Sequence, residues 1–190
     1  MSSSAKVIAL VLLLCLTAQF SYALDWIRIH EEADRASVSA VLERMPEDPE
    51  SIETIYLLAL AYLNIHKDEE ARAAFNKILA KDPNCVEAKW GVAEVMRREQ
   101  KIEESEKFLK EIIKSNPELW PAHITLAYVQ YTKQEFEEAV KTATRVSKVD
   151  REKIDLSNYV RSYLIIGGAK GMIASRGGPL SKVINGTQVL

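Results

Sequence analysis

Three segments of the chain align without gaps at a spacing of 34 residues, and this repeat limits the fold more than any other feature. Pro49, Pro83 and Pro117 fall at that spacing, each after an acidic or amide residue, in Asp48-Pro49, Asp82-Pro83 and Asn116-Pro117. Proline lacks the amide donor and disfavours helix at the residue before it, so each pair separates one helix from the next. Between these breaks the small residues Ala59, Ala93 and Ala127 recur at one offset, and Ala71, Ser105 and Ala139 at another. Large apolar residues recur beside them: Leu58, Val92 and Leu126, then Ile78, Ile112 and Val146. The segments Thr54 to Ile65 and Glu69 to Ala80 show apolar positions at helical spacing, joined by the polar turn His66-Lys67-Asp68. The unit is a helical hairpin whose small positions let two helices approach closely. Stacked copies supply the continuous core that one hairpin lacks.

At these residues the chain resembles the tetratricopeptide repeat family, which places small residues at the eighth and twentieth positions and proline at the thirty-second. Units at 52–85, 86–119 and 120–153 supply those residues, apart from Arg151 in place of the third proline. The family's usual glycine between helices is replaced by His66, Gln100 and Gln134, and its usual first-helix tryptophan by Ile55, Lys89 and His123. The resemblance implies an all-α, right-handed solenoid of helical hairpins. Residues 24–51 are expected to form an N-terminal cap, with one amphipathic helix over 25–45 packed on the first repeat. Residues 154–190 are expected to form a C-terminal helical extension, with a helical pattern over 156–174 that Gly167, Gly168 and Gly171 interrupt and Gly177-Gly178-Pro179 stops. The apolar residues Leu180, Val183, Ile184, Val189 and Leu190 suggest a truncated continuation or a C-terminal cap. At Gly168-Ala169-Lys170-Gly171-Met172-Ile173-Ala174, Gly177-Gly178-Pro179-Leu180-Ser181 and Ile184-Asn185-Gly186-Thr187, residues 158–190 also resemble a stretch of bacterial envelope repeat proteins that are similar to the periplasmic T-component of tripartite (TRAP) transporters.

The N-terminus reads as a secretory signal peptide over residues 1–23. Lys6 precedes an apolar run from Val7 to Leu16, and small residues end the segment at Ser21-Tyr22-Ala23. Cleavage after Ala23 would leave a mature chain beginning at Leu24, in the periplasm or secreted. The run is shorter than the ~20 residues a membrane span needs, which disfavours an uncleaved anchor. A lipoprotein reading of Leu12-Leu13-Leu14-Cys15 is disfavoured by Leu14, where a small residue is usual. Cleavage would leave Cys85 alone, with no intramolecular disulfide partner and a thiol best kept buried.

The chain carries 25 basic and 27 acidic residues, interspersed, for a net charge of -2. Nucleic acid is therefore not an expected partner, because phosphate binding needs a basic patch. His30, His66 and His123 are scattered, and His30 with Glu31 and Asp34 reads as a solvated helical face rather than a metal site. Lys170 among glycines lacks the spacing of a phosphate loop. Catalysis and cofactors have no support in the sequence, and the chain is expected not to be an enzyme.

A binding role is expected instead. In a tetratricopeptide array the first helices of successive units line a concave face. The register implies that the second, fifth, ninth, twelfth and thirteenth positions of each unit point there. The last four of these are Tyr56, Leu60, Leu63 and Asn64; then Trp90, Glu94, Arg97 and Arg98; then Ile124, Tyr128, Tyr131 and Thr132. An aromatic face with two central arginines suits a protein or peptide, because Trp, Tyr and Arg dominate interface hot spots. Family members that clamp a C-terminal carboxylate use lysine and asparagine at fixed first-helix positions. Tyr56 and Leu60 occupy the first two here, which argues against that activity. The expected function is an exported scaffold or adaptor binding a protein in the cell envelope. The alternatives are a ligand-binding accessory component of a periplasmic transport system, with a small-molecule ligand, and a structural homo-oligomer in envelope assembly.

Overall fold

The computed structural model describes residues 25–44 and 48–177. The signal segment, its cleavage site and the apolar tail lie outside the described residues. Nine α-helices are described. They are α1 (Trp26–Ala33), α2 (Val38–Arg44), α3 (Ile52–Asn64), α4 (Asp68–Lys81), α5 (Val86–Arg98), α6 (Ile102–Ser115), α7 (Trp120–Thr132), α8 (Phe136–Ser147) and α9 (Leu156–Gly177), with a 3-10 turn over Arg151–Lys153 before the last. No strand occurs among the described residues. Helices α3 to α8 form three hairpins stacked in chain order, each packed on its neighbours, and α9 packs on α8 and α7. The fold is an all-helical α-α solenoid.

The small positions are where the helices touch. Ala59, Ala93 and Ala127 are fully buried, as are Ala71, Ser105 and Ala139. Ser105 fits because its hydroxyl donates to the Ala93 carbonyl at 2.8 Å, so that hydroxyl is not buried unpaired. The core between hairpins is filled by Phe75, Ile78, Leu109 and Val146. Gly91 has a further role: a Cβ built there would lie 2.3 Å from two ring carbons of Phe75, so α5 rests directly on that ring.

The first helix of each hairpin ends in the same way. Lys67, Lys101 and Glu135 donate from their amides to the carbonyls of Tyr62, Met96 and Gln130, while His66, Gln100 and Gln134 donate to Leu63, Arg97 and Tyr131. This double closure requires the left-handed backbone at the central residue. His66, Gln100 and Gln134 accordingly hold φ of 59°, 63° and 63°. The non-glycine residues at this position keep the family's turn and carry its strain.

Two expectations are corrected. The single helix over 25–45 is two helices. Backbone turns close α1 at Asp34 to Ala36, and Ser37 then caps α2 by accepting the Ala40 amide at 3.2 Å. Conversely, Gly167, Gly168 and Gly171 do not interrupt the last helix, since α9 continues unbroken to Gly177. Its start is fixed by Asp155, which accepts the Asn158 amide at 2.9 Å and the Asn158 side-chain NH2 at 2.8 Å. This cap and the packing of Ile165 and Ala169 against α8 and α7 outweigh the poor helix propensity of the glycines.

Candidate functional site: an occupied concave face

The concave face is built from α3, α5 and α7, the first helices of the hairpins. Helix α1 lies on it. Trp26 meets Tyr56 edge to face at a centroid distance of 4.7 Å, and His30 stands between Tyr56 and Trp90, 5.7 Å and 5.2 Å from their ring centres. His30 Nε2 is hydrogen-bonded to the Tyr56 hydroxyl at 3.0 Å. At the other end of α1, Asn64 Nδ2 donates to the Ala33 carbonyl at 3.0 Å, satisfying a main-chain acceptor that the helix end leaves free. Ion pairs flank the contact: Arg28 with Glu53, and Glu31 with Arg151 at 3.4 Å.

The aromatic face is therefore covered. Tyr56 is wholly buried and Trp90 nearly so, which corrects the expectation that they lie open on the groove. His30 is likewise buried rather than solvated; burial lowers its pKa, with Asp155 opposing that shift and Arg161 reinforcing it. Leu60 and Leu63 are buried beneath the same helix end, beside His30, Ala33 and the Ser157, Asn158 and Arg161 side chains at the start of α9. The cavity left among them measures about 30 Å³.

Further along the face lies a buried polar cluster centred on Glu94. Its carboxylate accepts from Arg97 Nε at 2.9 Å and Nη2 at 2.6 Å, from Arg98 Nε at 3.0 Å and from the Thr125 hydroxyl at 3.0 Å. Trp90 Nε1 donates to Thr125 Oγ1 at 3.0 Å. Arg98 continues into the first unit, where Nη1 donates to the Leu63 carbonyl at 2.6 Å and to Asp68 at 3.3 Å. Burial by itself would raise the Glu94 pKa, but the hydrogen bonds and charges of Arg97 and Arg98 outweigh it and hold the carboxyl below its ordinary value. The two arginines expected to face a ligand are thus committed to Glu94. Arg97 also lies 5.5 Å from the centre of the Tyr128 ring. Ile124 is buried and Tyr128 and Tyr131 are half-buried, while Asn64 and Thr132 are exposed. Tyr131 packs edge to face on Phe136 at 5.3 Å, and its ring lies against Gly168 of α9.

Sequence reasoning missed three contributors: Trp26, His30 and Arg151. Arg151, where a proline was expected, ties the end of the third unit to Glu31 of α1. His123, which replaces a first-helix tryptophan, is buried and donates from Nε2 to the Pro117 carbonyl at 2.9 Å, pinning the turn between units. Cys85 is buried, and burial pushes its thiol up to about 11, which keeps it protonated and unreactive. Among the described residues no group of three His, Cys, Asp or Glu is placed to hold a metal ion, and no helix is long and apolar enough to cross a membrane.

Residues 53–84 match the model of the tetratricopeptide repeat family. No curated protein sequence matches the chain. Among solved structures it is similar to yeast Tom70, with a TM-score of 0.55 at 16% identity, over 77% of this chain and 32% of that one. It is also similar to a tetratricopeptide repeat protein from Parabacteroides merdae, with a TM-score of 0.53 at 24% identity over 74% and 59% of the two chains. A third similar structure is MamA, with a TM-score of 0.50 at 19% identity over 73% and 78%. The repeat match and the hairpin stack agree: this chain has the α-α solenoid fold of tetratricopeptide repeat proteins, with a tetratricopeptide repeat at residues 53–84.

Proposed function

We propose that this chain is an exported interaction scaffold of the cell envelope that binds a helical segment of a partner protein on its concave face. The observation that carries the binding reading is the seating of α1. A short amphipathic helix already lies on this face, with its aromatic residue on Tyr56, its imidazole between Tyr56 and Trp90, and its last carbonyl on Asn64. A surface that accommodates one such helix has the shape and hydrogen-bonding groups to accept another. The stacked hairpins hold that surface rigid, which limits the ordering cost of association. The export reading rests on the basic, apolar and small-residue order of residues 1–23.

The test is site-specific photo-crosslinking in cells that express the full chain. A photoreactive residue replaces Asn64 on the concave face or, as the control, Lys107 on the exposed surface of α6. The expected result is a discrete protein adduct from position 64 in the envelope fraction and none from position 107. An adduct from 107 alone would place binding elsewhere on the solenoid. Sequencing of the recovered chain is expected to begin at Leu24, and an N-terminus at Met1 would overturn the export reading.

A further inference from the structure

Helix α1 is held differently from the six helices of the hairpin stack. Helices α3 to α8 are joined in pairs by tight turns and share the small buried positions of the stack. The eight-residue α1 contributes Trp26, Ile29, His30 and Ala33 to the groove, and it is joined to the first hairpin only through α2 and the residues up to Ser51. A helix of that length is not stable alone in water, so it forms only while seated. Its flanking ion pairs are solvent-exposed, and such pairs contribute little to holding it down. Besides the exposed Arg28–Glu53 and Glu31–Arg151 pairs, its polar contacts are those a groove would make to a ligand: His30 hydrogen-bonds the Tyr56 hydroxyl, and the Ala33 carbonyl accepts from Asn64.

Building on the concave-face reading, we propose that α1 is a tethered occupant of the partner site. The partner is an amphipathic helix with the same pattern, and it displaces α1. Counted from Trp26, that pattern is a large aromatic residue at the start, a branched aliphatic three residues on, a hydrogen-bonding ring four residues on and a small residue seven residues on. A basic residue two positions on and an acidic one five positions on face Glu53 and Arg151. Because α1 is covalently tethered through α2, its seating is intramolecular and independent of protein concentration, so it lowers the apparent affinity for any external helix. Weakening α1 in its own chain therefore strengthens binding of a helix added from outside.

The probe is a fluorescein-labelled synthetic peptide of residues 25–36, titrated into the full chain and followed by anisotropy, beside a scrambled peptide of the same composition. The Trp26→Ala/Ile29→Ala chain is expected to bind the peptide at least tenfold more tightly than the wild type, and adding Asn64→Ala is expected to reverse that gain. Equal affinity for the two chains, or no binding to the weakened one, overturns the proposal. A second measurement uses the unmodified chain, in case the double variant does not fold. Saturating unlabelled peptide is expected to speed hydrogen exchange at least tenfold at the 15N-labelled amides of α1 while leaving α5 unchanged, and unaltered exchange at α1 overturns the proposal. An Asn64 photo-adduct seen together with a failed peptide titration removes the tethered-occupant proposal and leaves the concave-face reading standing. Loss of both removes both.

Discussion

Gln100 sits exposed at φ 63°, in a backbone conformation that costs a non-glycine residue about 1–2 kcal/mol. Glycine relieves that strain but loses more entropy on folding, so Gln100→Gly is expected to stabilise the chain by a net ~0.5–1 kcal/mol, read as a higher thermal midpoint. An unchanged or lower midpoint would mean that the Gln100 side chain contributes more than the strain it carries. Gly91 predicts the opposite sign for the reverse change. Alanine there places a methyl group against the fully buried Phe75 ring, which has no free space to move into. Gly91→Ala is expected to cost about 1–3 kcal/mol in urea denaturation. The first position was legible in the sequence, because the repeat register exposed His66, Gln100 and Gln134 as substitutes for a turn glycine. Gly91 was not, because its constraint comes from a ring on the preceding hairpin that no local pattern announces.

Helix α9 shows how packing overrides propensity. The glycines read as breaks in the sequence, yet the helix is anchored at Asp155 and held by Ile165 and Ala169, so the breaks do not occur. Open space surrounds the Cβ positions of Gly167 and Gly171. Gly167→Ala and Gly171→Ala are each expected to raise stability by roughly 0.5–1 kcal/mol, measured as a rise in the urea midpoint. A loss at either position would show that something contacts that face in solution. Helix α1 carries a different dependence. His30 is buried against Tyr56 of α3 and Trp90 of α5, with Asp34 just past the end of its own helix, Glu94 and Arg98 of α5, Asp155 just before α9 and Arg161 of α9 around the same end. Burial lowers its pKa below the ordinary histidine value of about 6.5. Its contribution is thus present above pH ~6.5 and is lost as pH falls toward the folded-state value. His123, also lowered by burial, acts with the same sign. The urea midpoint is expected to be lower at pH 5.5 than at pH 7.5, with a smaller difference in His30→Gln. An identical difference in the variant would assign the effect to other groups.

At the scale of the whole molecule, the hairpin stack was legible because close helix contact demands small residues at fixed register, and Ala59, Ala93 and Ala127 mark it. What fills the groove was not legible, since Trp26 and His30 reach Tyr56 and Trp90 across distances in sequence that carry no periodic signal. The Glu94 cluster belongs to the same class, and it joins all three hairpins. Arg98 reaches Leu63 and Asp68 in the first unit, Glu94 and Arg97 lie in the second, and Thr125 accepts from Trp90 and donates to Glu94 from the third. In a linear array each unit is stabilised by its neighbours, so cooperativity depends on the contacts between units. Removing Glu94 leaves the half-buried Arg97 guanidinium without its carboxylate and Arg98 with Asp68 as its remaining carboxylate, and breaking a buried pair in this way costs about 3–5 kcal/mol. Glu94→Ala is therefore expected to lower the urea midpoint and also the slope of the transition, because the end hairpins no longer unfold together. Lys141→Ala, which removes only the exposed pair with Glu138, serves as the control and should change stability by less than about 0.5 kcal/mol. A Glu94→Ala transition that shifts but keeps its slope would show that the apolar stack alone couples the units, leaving the polar cluster only a local role in holding Trp90 and Arg98 in place.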